Sequence, residues 1–350
     1  MNLSESETNH IKEFDTLVNL LNKHFDAKYL KPRVVSLTDE EFYNDSEIEK
    51  LDELEDYETI ELTSHERIGI ARLIPSDDVK DLVAIDTASV RLGETERGII
   101  TAVRSVIVVK TEGEYRFLKF GPYIVHITEQ NKYEIYDYIK KYFDVSLGEP
   151  PKLNKMQDRF RNFIERISQK LATNLIQNGI VLLDGSLTAG TVDTPKKVLE
   201  EILHSAAENN NSVVGVSKNS WLKLSDGTRI LTLLADRQYS CLADVDKHIM
   251  GNTQRRILGH VFVVKFTPDG FTFRVDVFPS KLSQAVKILR TIKSSCIFYN
   301  GYPDILRHAH INAYFTANEI LGMQNYAIDN FNLILVRSFD VKKHLLAPFR

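Results

Sequence analysis

The hydrophobic positions of this chain alternate between strand-like and helix-like patterns. Residues 81–86, 98–110 and 114–120 are rich in β-branched and aromatic residues, and short glycine-containing turns separate them, which predicts an antiparallel meander of three strands. Residues 154–178 carry apolar side chains at helical spacing. The continuous apolar run at 179–186 is typical of a strand that is buried on both faces.

Glycine, threonine and proline mark the ends of the next elements. Gly179 is the predicted C-terminal stop of the long helix. Thr194 is predicted to cap a following helix that has Pro195 at its first position. Residues 212–218 have the pattern of another strand. Strands and helices that alternate in this way are typical of the α/β class.

Further elements lie on both sides of this central region. Residues 8–25 have an amphipathic helical pattern and predict an N-terminal helical arm. Residues 229–278 contain three apolar runs that predict strands, RILTLLA, HVFVVKF and FTFRVDVF. Helices are predicted at 280–294 and after Pro303. The sequence leaves open whether this β-rich part is a separate β-barrel subdomain or an extension of the main sheet.

These elements predict two parts of unequal size. Residues 1–78 hold the helical arm and an acidic segment, and residues 79–350 form the main domain. Within the main domain we expect a core, a β-rich subdomain and a C-terminal group of helices. Their predicted limits are about 79–220, 225–280 and 281–350.

The distribution of charge along the chain separates an acidic segment from a basic body. With 44 Lys and Arg against 48 Asp and Glu, the chain carries a net charge of −4, which by itself argues against a polyanionic partner. Residues 39–61 contain twelve acidic residues and one basic residue, Lys50, so the remaining chain is basic. Such a run is most often a solvated loop or an exposed helix face, and the alternative is an acidic docking or autoinhibitory segment.

The cysteine count and the N-terminus indicate a cellular compartment. Cys241 and Cys296 have neither the number nor the spacing of a disulfide framework or a zinc site. The N-terminus lacks the pattern of a signal peptide, and no apolar run is long enough to span a bilayer. We expect a soluble, cytoplasmic protein without a membrane partner.

Two predicted strands end in an aspartate followed by small residues. Asp86 is followed by Thr-Ala-Ser and Asp184 by Gly-Ser. The carboxyl ends of neighbouring strands in an α/β sheet form the usual ligand crevice, so both carboxylates can meet there. The alternative is that each aspartate merely caps the loop after its strand.

Glu165 adds a third carboxylate to these two. It follows Ile164 in the long predicted helix, at the margin of the apolar stripe. An Asp on the first strand, an antiparallel meander, a Glu on the next helix and an Asp ending the next strand are the element order of the ribonuclease H-like nuclease fold. Three carboxylates in that arrangement hold two divalent ions about 3.5–4 Å apart, and oxygen ligands favour Mg²⁺ or Mn²⁺. The predicted fold is therefore a ribonuclease H-like mixed sheet flanked by helices.

A further group of functional residue types lies at 301–310, in the sequence GYPDILRHAH. With Pro303 starting a helix, Tyr302 lies at its beginning and His310 about 11–12 Å further along the axis. Tyr302 can stack on a base or hydrogen-bond a phosphate, and His310 can ligate a metal or carry a proton. A helical histidine taken alone is more often a packed or surface residue.

Together these motifs resemble the NurA family of archaeal DNA-end nucleases. The resemblance rests on VAIDTAS, on the Glu165 helix that leads into GIVLLDGSL, on VVGVSKNS and on GYPxxLxxAH, in this order from about residue 80 to about 315. It implies that Asp86, Glu165 and Asp184 bind metal. It also places Tyr302 and His310 in the active site, with His310 as a further candidate ligand.

The resemblance also implies an activity and partners. The family implies a Mn²⁺-dependent nuclease with two ions per active site, with Mg²⁺ as an alternative metal. It cuts single-stranded DNA endonucleolytically and degrades single strands and duplex ends 5′ to 3′. The implied assembly is a homodimer that acts with the HerA translocase, and functionally with Mre11–Rad50, in DNA end resection during double-strand break repair.

Basic residues of the main domain suit a DNA substrate. Lys218 matches the lysine that follows the VGV strand of the family, and we expect it to contact a phosphate. Arg166, beside Glu165, and Tyr302 are further candidate DNA contacts. Asp304 departs from the family pattern, because an aromatic or apolar residue commonly follows Gly-Tyr-Pro, and its charge would repel a phosphate at the edge of the site.

Two other functions are compatible with parts of this pattern. An actin-like ATPase or sugar kinase has a related fold, but the chain lacks a second Gly-rich copy and a P-loop. A non-catalytic DNA-binding adaptor of a translocase would keep the fold, but it has no need for three convergent carboxylates.

Overall fold

The computed structural model of the chain describes residues 33–37, 61–62, 68–191, 194–220, 222–224, 229–248, 257–331 and 334–335. The predicted helical arm at 8–25 lies outside the described residues, as does the acidic segment except for Glu61. The division of the chain at residue 79 stays a prediction.

The described residues form strands and helices in mixed order. The strands are β1 (Arg33–Leu37), β2 (Glu61–Leu62), β3 (Ile70–Arg72), β4 (Leu82–Thr95), β5 (Gly98–Thr111), β6 (Glu114–Thr128), β7 (Ile180–Asp184), β8 (Ser212–Ser217), β9 (Lys223–Leu224), β10 (Cys241–Asp244), β11 (His260–Lys265), β12 (Phe273–Phe278), β13 (Phe298–Tyr299), β14 (Tyr302–Pro303) and β15 (Ile334–Leu335). The α-helices are α1 (Lys132–Phe143), α2 (Leu153–Ala172), α3 (Lys196–Glu208), α4 (Leu282–Ser295), α5 (Asp304–Ala313) and α6 (Ala317–Asn330).

The predicted meander is present, with strands longer than the apolar runs. β4, β5 and β6 pair antiparallel over 14, 14 and 15 residues. The first twelve residues of β5 are buried, because β5 lies between two partners and is covered on both faces. β4 runs on to Thr95 because its outer half pairs with β1 on the edge opposite β5.

The centre of the sheet has the predicted ribonuclease H-like order. β7 pairs parallel with β4, and β8 pairs parallel with β7. The five strands therefore lie in the order β6-β5-β4-β7-β8, with only β5 reversed. Parallel pairing places Asp86, in the interior of β4, beside the carboxyl ends of β7 and β8.

The β-rich part extends this sheet, and the described residues contain no closed barrel. β12, β11, β10 and β3 follow β8 in an antiparallel series, so the barrel alternative was wrong. The predicted strand RILTLLA was also wrong, because Ile230–Leu234 form a 3-10 turn. A short apolar run does not distinguish a strand from a buried helical turn. The strand in this region is β10, which the pattern did not single out.

Helices cover both faces of the sheet. Val83 and Ile85 point into a core that α1, α2 and α3 complete. Leu82 and Ala84 point to the opposite face, where α4 and α5 cover them. The alternation of side chains along β4 decides which helices each position meets. By the same alternation, Asp86 points to the face that carries α5.

The ends of two predicted helices differ from the structure. α2 ends at Ala172, because the side chain of Asn211 binds the carbonyl groups of Thr173 and Ile176. The long apolar stripe predicted a later end at Gly179. Thr194 does not cap α3, since its hydroxyl accepts a hydrogen bond from Arg166.

Helix α1 is absent from the sequence prediction. Its buried positions are mainly tyrosine, isoleucine and phenylalanine on one side, within a segment that also has many charges. None of the helices in the part of the chain that the structure describes is long and apolar enough to cross a membrane.

Candidate metal centre

Asp86 and Asp184 lie side by side where the parallel pairing of β4 with β7 ends. Asp184 is the last residue of β7, but β4 continues past Asp86 to Thr95, so the predicted strand end at Asp86 was wrong. The last paired residues of β4 and β7 are Ile85 and Leu183, and each aspartate follows its paired residue directly. Their side chains are 17% and 16% exposed. Such burial weakens solvent screening, so each carboxylate is sensitive to neighbouring positive charge.

A basic side chain contacts each of these carboxylates. His310 Nδ1 lies 3.1 Å from Asp86 Oδ2, and Lys218 Nζ lies 2.9 Å from Asp184 Oδ2. The hydrogen bond with Asp86 raises the pKa of His310, against the opposing effect of burial. Four side chains thus form a compact, nearly charge-balanced group: Asp86 from the interior of β4, Asp184 from the end of β7, Lys218 directly after β8, and His310 from α5.

Three of these side chains can hold one metal ion. Asp86, Asp184 and His310 each offer a ligand atom, and these atoms all lie within 4.8 Å of one another. Carboxylate oxygens suit Mn²⁺ and Mg²⁺, and the imidazole nitrogen favours the transition metal of the two. The donor set therefore fits the metal that the sequence predicts, whereas Lys218 competes with a cation for Asp184.

Tyr302 closes one side of this group. Its ring centroid lies 5.6 Å from that of Phe273 and 5.4 Å from Lys218 Nζ. The Tyr302 hydroxyl is buried and has no partner with good hydrogen-bond geometry among the described residues. Burial, followed by the negative charges of Asp184 and Asp86, raises the pKa of Tyr302. The hydroxyl therefore stays protonated and is available as a donor.

Asp304 holds the beginning of α5 rather than bordering the site as a free charge. Its carboxylate accepts hydrogen bonds from the Tyr115 hydroxyl and from the backbone N–H of Ile297. Lys110 Nζ lies 4.0 Å from Asp304 Oδ2. An acidic residue in the first turn is also favourable for the helix dipole. The suggested repulsion of a phosphate by Asp304 is therefore wrong, because this charge is buried and bound.

The loop after Asp184 is fixed by residues that the sequence analysis missed. Asp276 on β12 is fully buried, accepts a hydrogen bond from the backbone N–H of Leu187 and pairs with Arg274. Arg274 also binds the Thr188 hydroxyl. The sequence FTFRVDVF contains a signal for this buried ion pair, because its Arg and Asp are two positions apart and therefore face the same side of a strand.

Gly215 makes room for the same loop. A Cβ atom at this position would lie 2.5 Å from the carbonyl oxygen of Gly185. The backbone N–H of Gly185 donates to the carbonyl of Val216 at 3.0 Å. The glycine in VGV therefore allows the Asp-Gly-Ser loop to cross directly over β8.

Glu165 lies outside the three-residue group. It is on α2, which covers the sheet face opposite α5, and its carboxylate accepts a hydrogen bond from Gln169 one turn later. Arg166 is on the same helix and donates to Gln169 and Thr194. The structure thus brings together Asp86, Asp184 and His310, with Lys218 and Tyr302 beside them. The roles of Glu165 and Arg166 stay predictions.

Comparisons with known proteins return structures of the family that the motifs resemble. No protein-family model matches the chain, and no curated protein matches it. The NurA nuclease from Sulfolobus solfataricus is 14% identical with a TM-score of 0.46, over 91% of this chain and 97% of that one. NurA bound to dAMP and manganese is 10% identical with a TM-score of 0.44, over 94% and 98% of the two chains. These identities and TM-scores are too low to carry an argument about the chemistry of this chain.

Proposed function

We propose that this chain is a metal-dependent nuclease that hydrolyses phosphodiester bonds in DNA. The observation that carries the proposal is the convergence of ligand atoms from Asp86, Asp184 and His310 within 4.8 Å. These residues come from distant parts of the sequence, and two of them are carboxylates on adjacent parallel strands. A divalent ion bound there supplies Lewis-acid polarisation of the phosphodiester and lowers the pKa of the attacking water.

The remaining residues of the group suit a phosphodiester substrate. Asp184 would help to hold the metal, and the Lys218 ammonium, which now pairs with Asp184, would stabilise negative charge on a phosphate oxygen. The protonated Tyr302 hydroxyl can donate a hydrogen bond to the same group. His310 holds the metal or moves a proton, and its contact with Asp86 orients its ring for either role.

The finer description of the activity rests on the family resemblance. It comprises endonucleolytic cleavage of single strands, 5′ to 3′ exonuclease action on single and double strands, and two ions per site with Glu165 as the third acid. It also comprises a homodimer that works with HerA, and functionally with Mre11–Rad50, in end resection. A cytoplasmic location is supported only by the cysteine pattern, and both cysteines are free in the structure.

The test is Mn²⁺-dependent cleavage of a labelled DNA single strand by the wild-type chain and by Asp184→Asn. We expect the variant to lose activity by at least about 100-fold, since it removes one charged ligand. The matched control is Asp137→Asn, which changes an exposed aspartate on α1 and should cleave like the wild type. Labels at the 5′ and 3′ ends of separate substrates report the polarity.

The adaptor function is the second candidate, and the ion pair of Lys218 with Asp184 is the observation that favours it. An adaptor would bind DNA without binding Mn²⁺. Electron paramagnetic resonance of Mn²⁺ mixed with the protein separates the two functions, because bound Mn²⁺ loses its sharp aqueous signal. DNA binding without Mn²⁺ binding or cleavage would overturn the nuclease proposal.

A further inference from the structure

Tyr299 and Arg307 form an exposed aromatic and guanidinium pair beside the candidate metal centre. The Tyr299 side chain is 58% exposed, and the Arg307 guanidinium carbon lies 4.4 Å from its ring centroid. Arg307 is also exposed and precedes His310 by three positions on α5. Residues three apart are neighbours on a helix surface. Arg307 therefore lies about one helical turn from the candidate ligand His310.

The hairpin that carries Tyr299 is built to hold its position. Asn300 and Gly301 form the two-residue loop between β13 and β14 and both have positive φ, at 50° and 84°, as a type I′ turn requires. The carbonyl of Asn300 accepts a hydrogen bond from the backbone N–H of Phe271 at 2.8 Å. A Cβ atom on Gly270 would lie 2.7 Å from the Cα atom of Gly301. The two loops are therefore in close backbone contact.

This hairpin connects the exposed ring directly to the site. Tyr299 and Tyr302 are opposite each other in the pairing of β13 with β14, so their side chains point to the same side. Tyr302 is partly buried and contacts Phe273 and Lys218, whereas the Tyr299 ring is the more exposed of the two. The sequence analysis left two roles open for Tyr302, stacking on a base or a hydrogen bond to a phosphate. The more exposed ring of this hairpin is that of Tyr299.

The surface around Tyr299 continues with exposed apolar side chains. Ile297 lies two positions before Tyr299, and Phe271 lies on the neighbouring loop, each 68% exposed. Arg307 supplies positive charge at the Tyr299 ring, and Lys218 supplies it between the Tyr302 ring and Asp184. Aromatic rings with adjacent basic groups are the elements by which proteins bind nucleic-acid single strands.

We propose that Tyr299 and Arg307 form a stacking subsite for an unpaired base of the strand whose phosphodiester lies at Asp86 and Asp184. The inference rests on the proposed function, which already includes single-stranded DNA, and it assigns the residues that hold one unpaired base. A base within a duplex is already stacked on both faces and is not free to cover Tyr299. The subsite therefore selects single strands and frayed ends over intact duplex.

The test measures binding in EDTA, so that no cleavage occurs. The probes are a 12-nucleotide oligothymidylate, the same oligonucleotide with abasic sites throughout, and a blunt duplex of equal length. We expect Tyr299→Ala to weaken oligothymidylate binding by about 10- to 100-fold, as for the loss of one base stack. We expect Tyr299→Phe to retain binding, and Arg307→Lys to weaken it because the ammonium is not planar.

The abasic probe separates stacking from a general loss of affinity. Tyr299→Ala should bind the abasic strand and the duplex as the wild type does. The matched control is Tyr326→Ala, which changes a similarly exposed tyrosine on α6 and should leave all three affinities unchanged. Melting temperatures of the variants report whether the fold is retained.

Equal affinity of Tyr299→Ala and the wild type for oligothymidylate would overturn the subsite. An equal loss on the abasic strand would overturn it as well, because stacking needs a base. These outcomes differ from a failure of the nuclease proposal, which is read from Mn²⁺-dependent cleavage and from Asp184→Asn. Tyr299-dependent binding without any cleavage would support the stacking subsite and contradict the proposed nuclease activity.

Discussion

Each candidate ligand carboxylate is paired with a base in the described structure, and this pairing shapes the behaviour of the site. Asp86 contacts His310 and Asp184 contacts Lys218. Two partly buried carboxylates on adjacent strands repel each other unless positive charge lies close to them. A metal ion and the two basic side chains therefore provide alternative ways of neutralising the same pair of charges.

Replacing Lys218 separates metal binding from catalysis. We expect Lys218→Met to bind Mn²⁺ about three- to tenfold more tightly, because a competing positive charge is removed from Asp184. Cleavage should fall by about 100-fold, because the variant cannot stabilise charge on the phosphate. Isothermal titration calorimetry and a single-turnover cleavage assay measure the two effects.

The control for this experiment is Lys196→Met, which changes an exposed lysine on α3 that pairs with Glu200. It should change neither quantity. Unaltered Mn²⁺ affinity and unaltered cleavage in Lys218→Met would contradict the role assigned to Lys218.

At the scale of elements, α5 and α6 are held against the meander by specific polar contacts. Asp304 binds Tyr115 of β6 at the beginning of α5. Arg104 of β5 pairs with Glu319 near the beginning of α6 and also lies over the ring of Phe315. These contacts fix the helix that carries His310 and Arg307 relative to the strand that carries Asp86.

The contact of Glu319 makes the docking of α6 dependent on pH. Burial alone would raise the pKa of Glu319, but hydrogen bonds from Arg104 and Thr316 lower it to about 2, from an ordinary value of 4.5. Because the pKa is lower in the folded chain, ionised Glu319 stabilises the fold above pH 4.5. This contribution is lost as the pH falls through 4.5 toward 2.

We therefore expect Glu319→Gln to lower the free energy of unfolding at pH 7 by less than about 1 kcal/mol, as for a partly exposed ion pair. The difference from the wild type should shrink as the pH is lowered to 3. Urea unfolding at pH 7, 5 and 3 checks this, with Glu200→Gln on the exposed face of α3 as the control. A difference that stays the same at all three pH values would show that Glu319 acts through packing alone.

At the scale of the whole molecule, the candidate metal centre joins parts of the chain that are distant in sequence. His310 and Asp86 are 224 positions apart, and the buried pair of Arg274 and Asp276 connects β12 to the loop after β7. Because the ligand atoms converge only in the folded chain, metal binding is coupled to folding.

Mn²⁺ should therefore stabilise the entire fold. At a concentration 100 times its dissociation constant, a ligand specific for the folded state adds about 2.7 kcal/mol to the free energy of unfolding. We expect the wild-type melting temperature to rise by several degrees with Mn²⁺, and that of the double variant Asp86→Asn and Asp184→Asn to stay constant. The exposed pair Asp137→Asn and Asp269→Asn serves as the control. Equal shifts in all three proteins would indicate non-specific binding.

The local pattern of apolar residues predicted the elements that have one apolar face or a continuous apolar run. The meander, β7, β8 and α2 were found from residue spacing, because burial on the faces of a sheet and along a helix leaves a period in the sequence. The exact ends of these elements could not be predicted from the same pattern. α2 stops at Ala172, and the side chain of Asn211 binds the carbonyl groups of Thr173 and Ile176 just beyond it. Nothing in the helix itself indicates this contact.

The sequence by itself determined the residue types of the site and the order, along the chain, of the strands that carry Asp86 and Asp184. Side-chain alternation and apolar runs, which predict strands, are local properties of the sequence. Only the tertiary structure decided which side chains meet. The face to which Asp86 points selects α5 and His310 as its neighbours, whereas Glu165 lies on a helix of the other face. Tyr302 is partly buried and Tyr299 is exposed because packing between elements, which no local pattern records, determines burial.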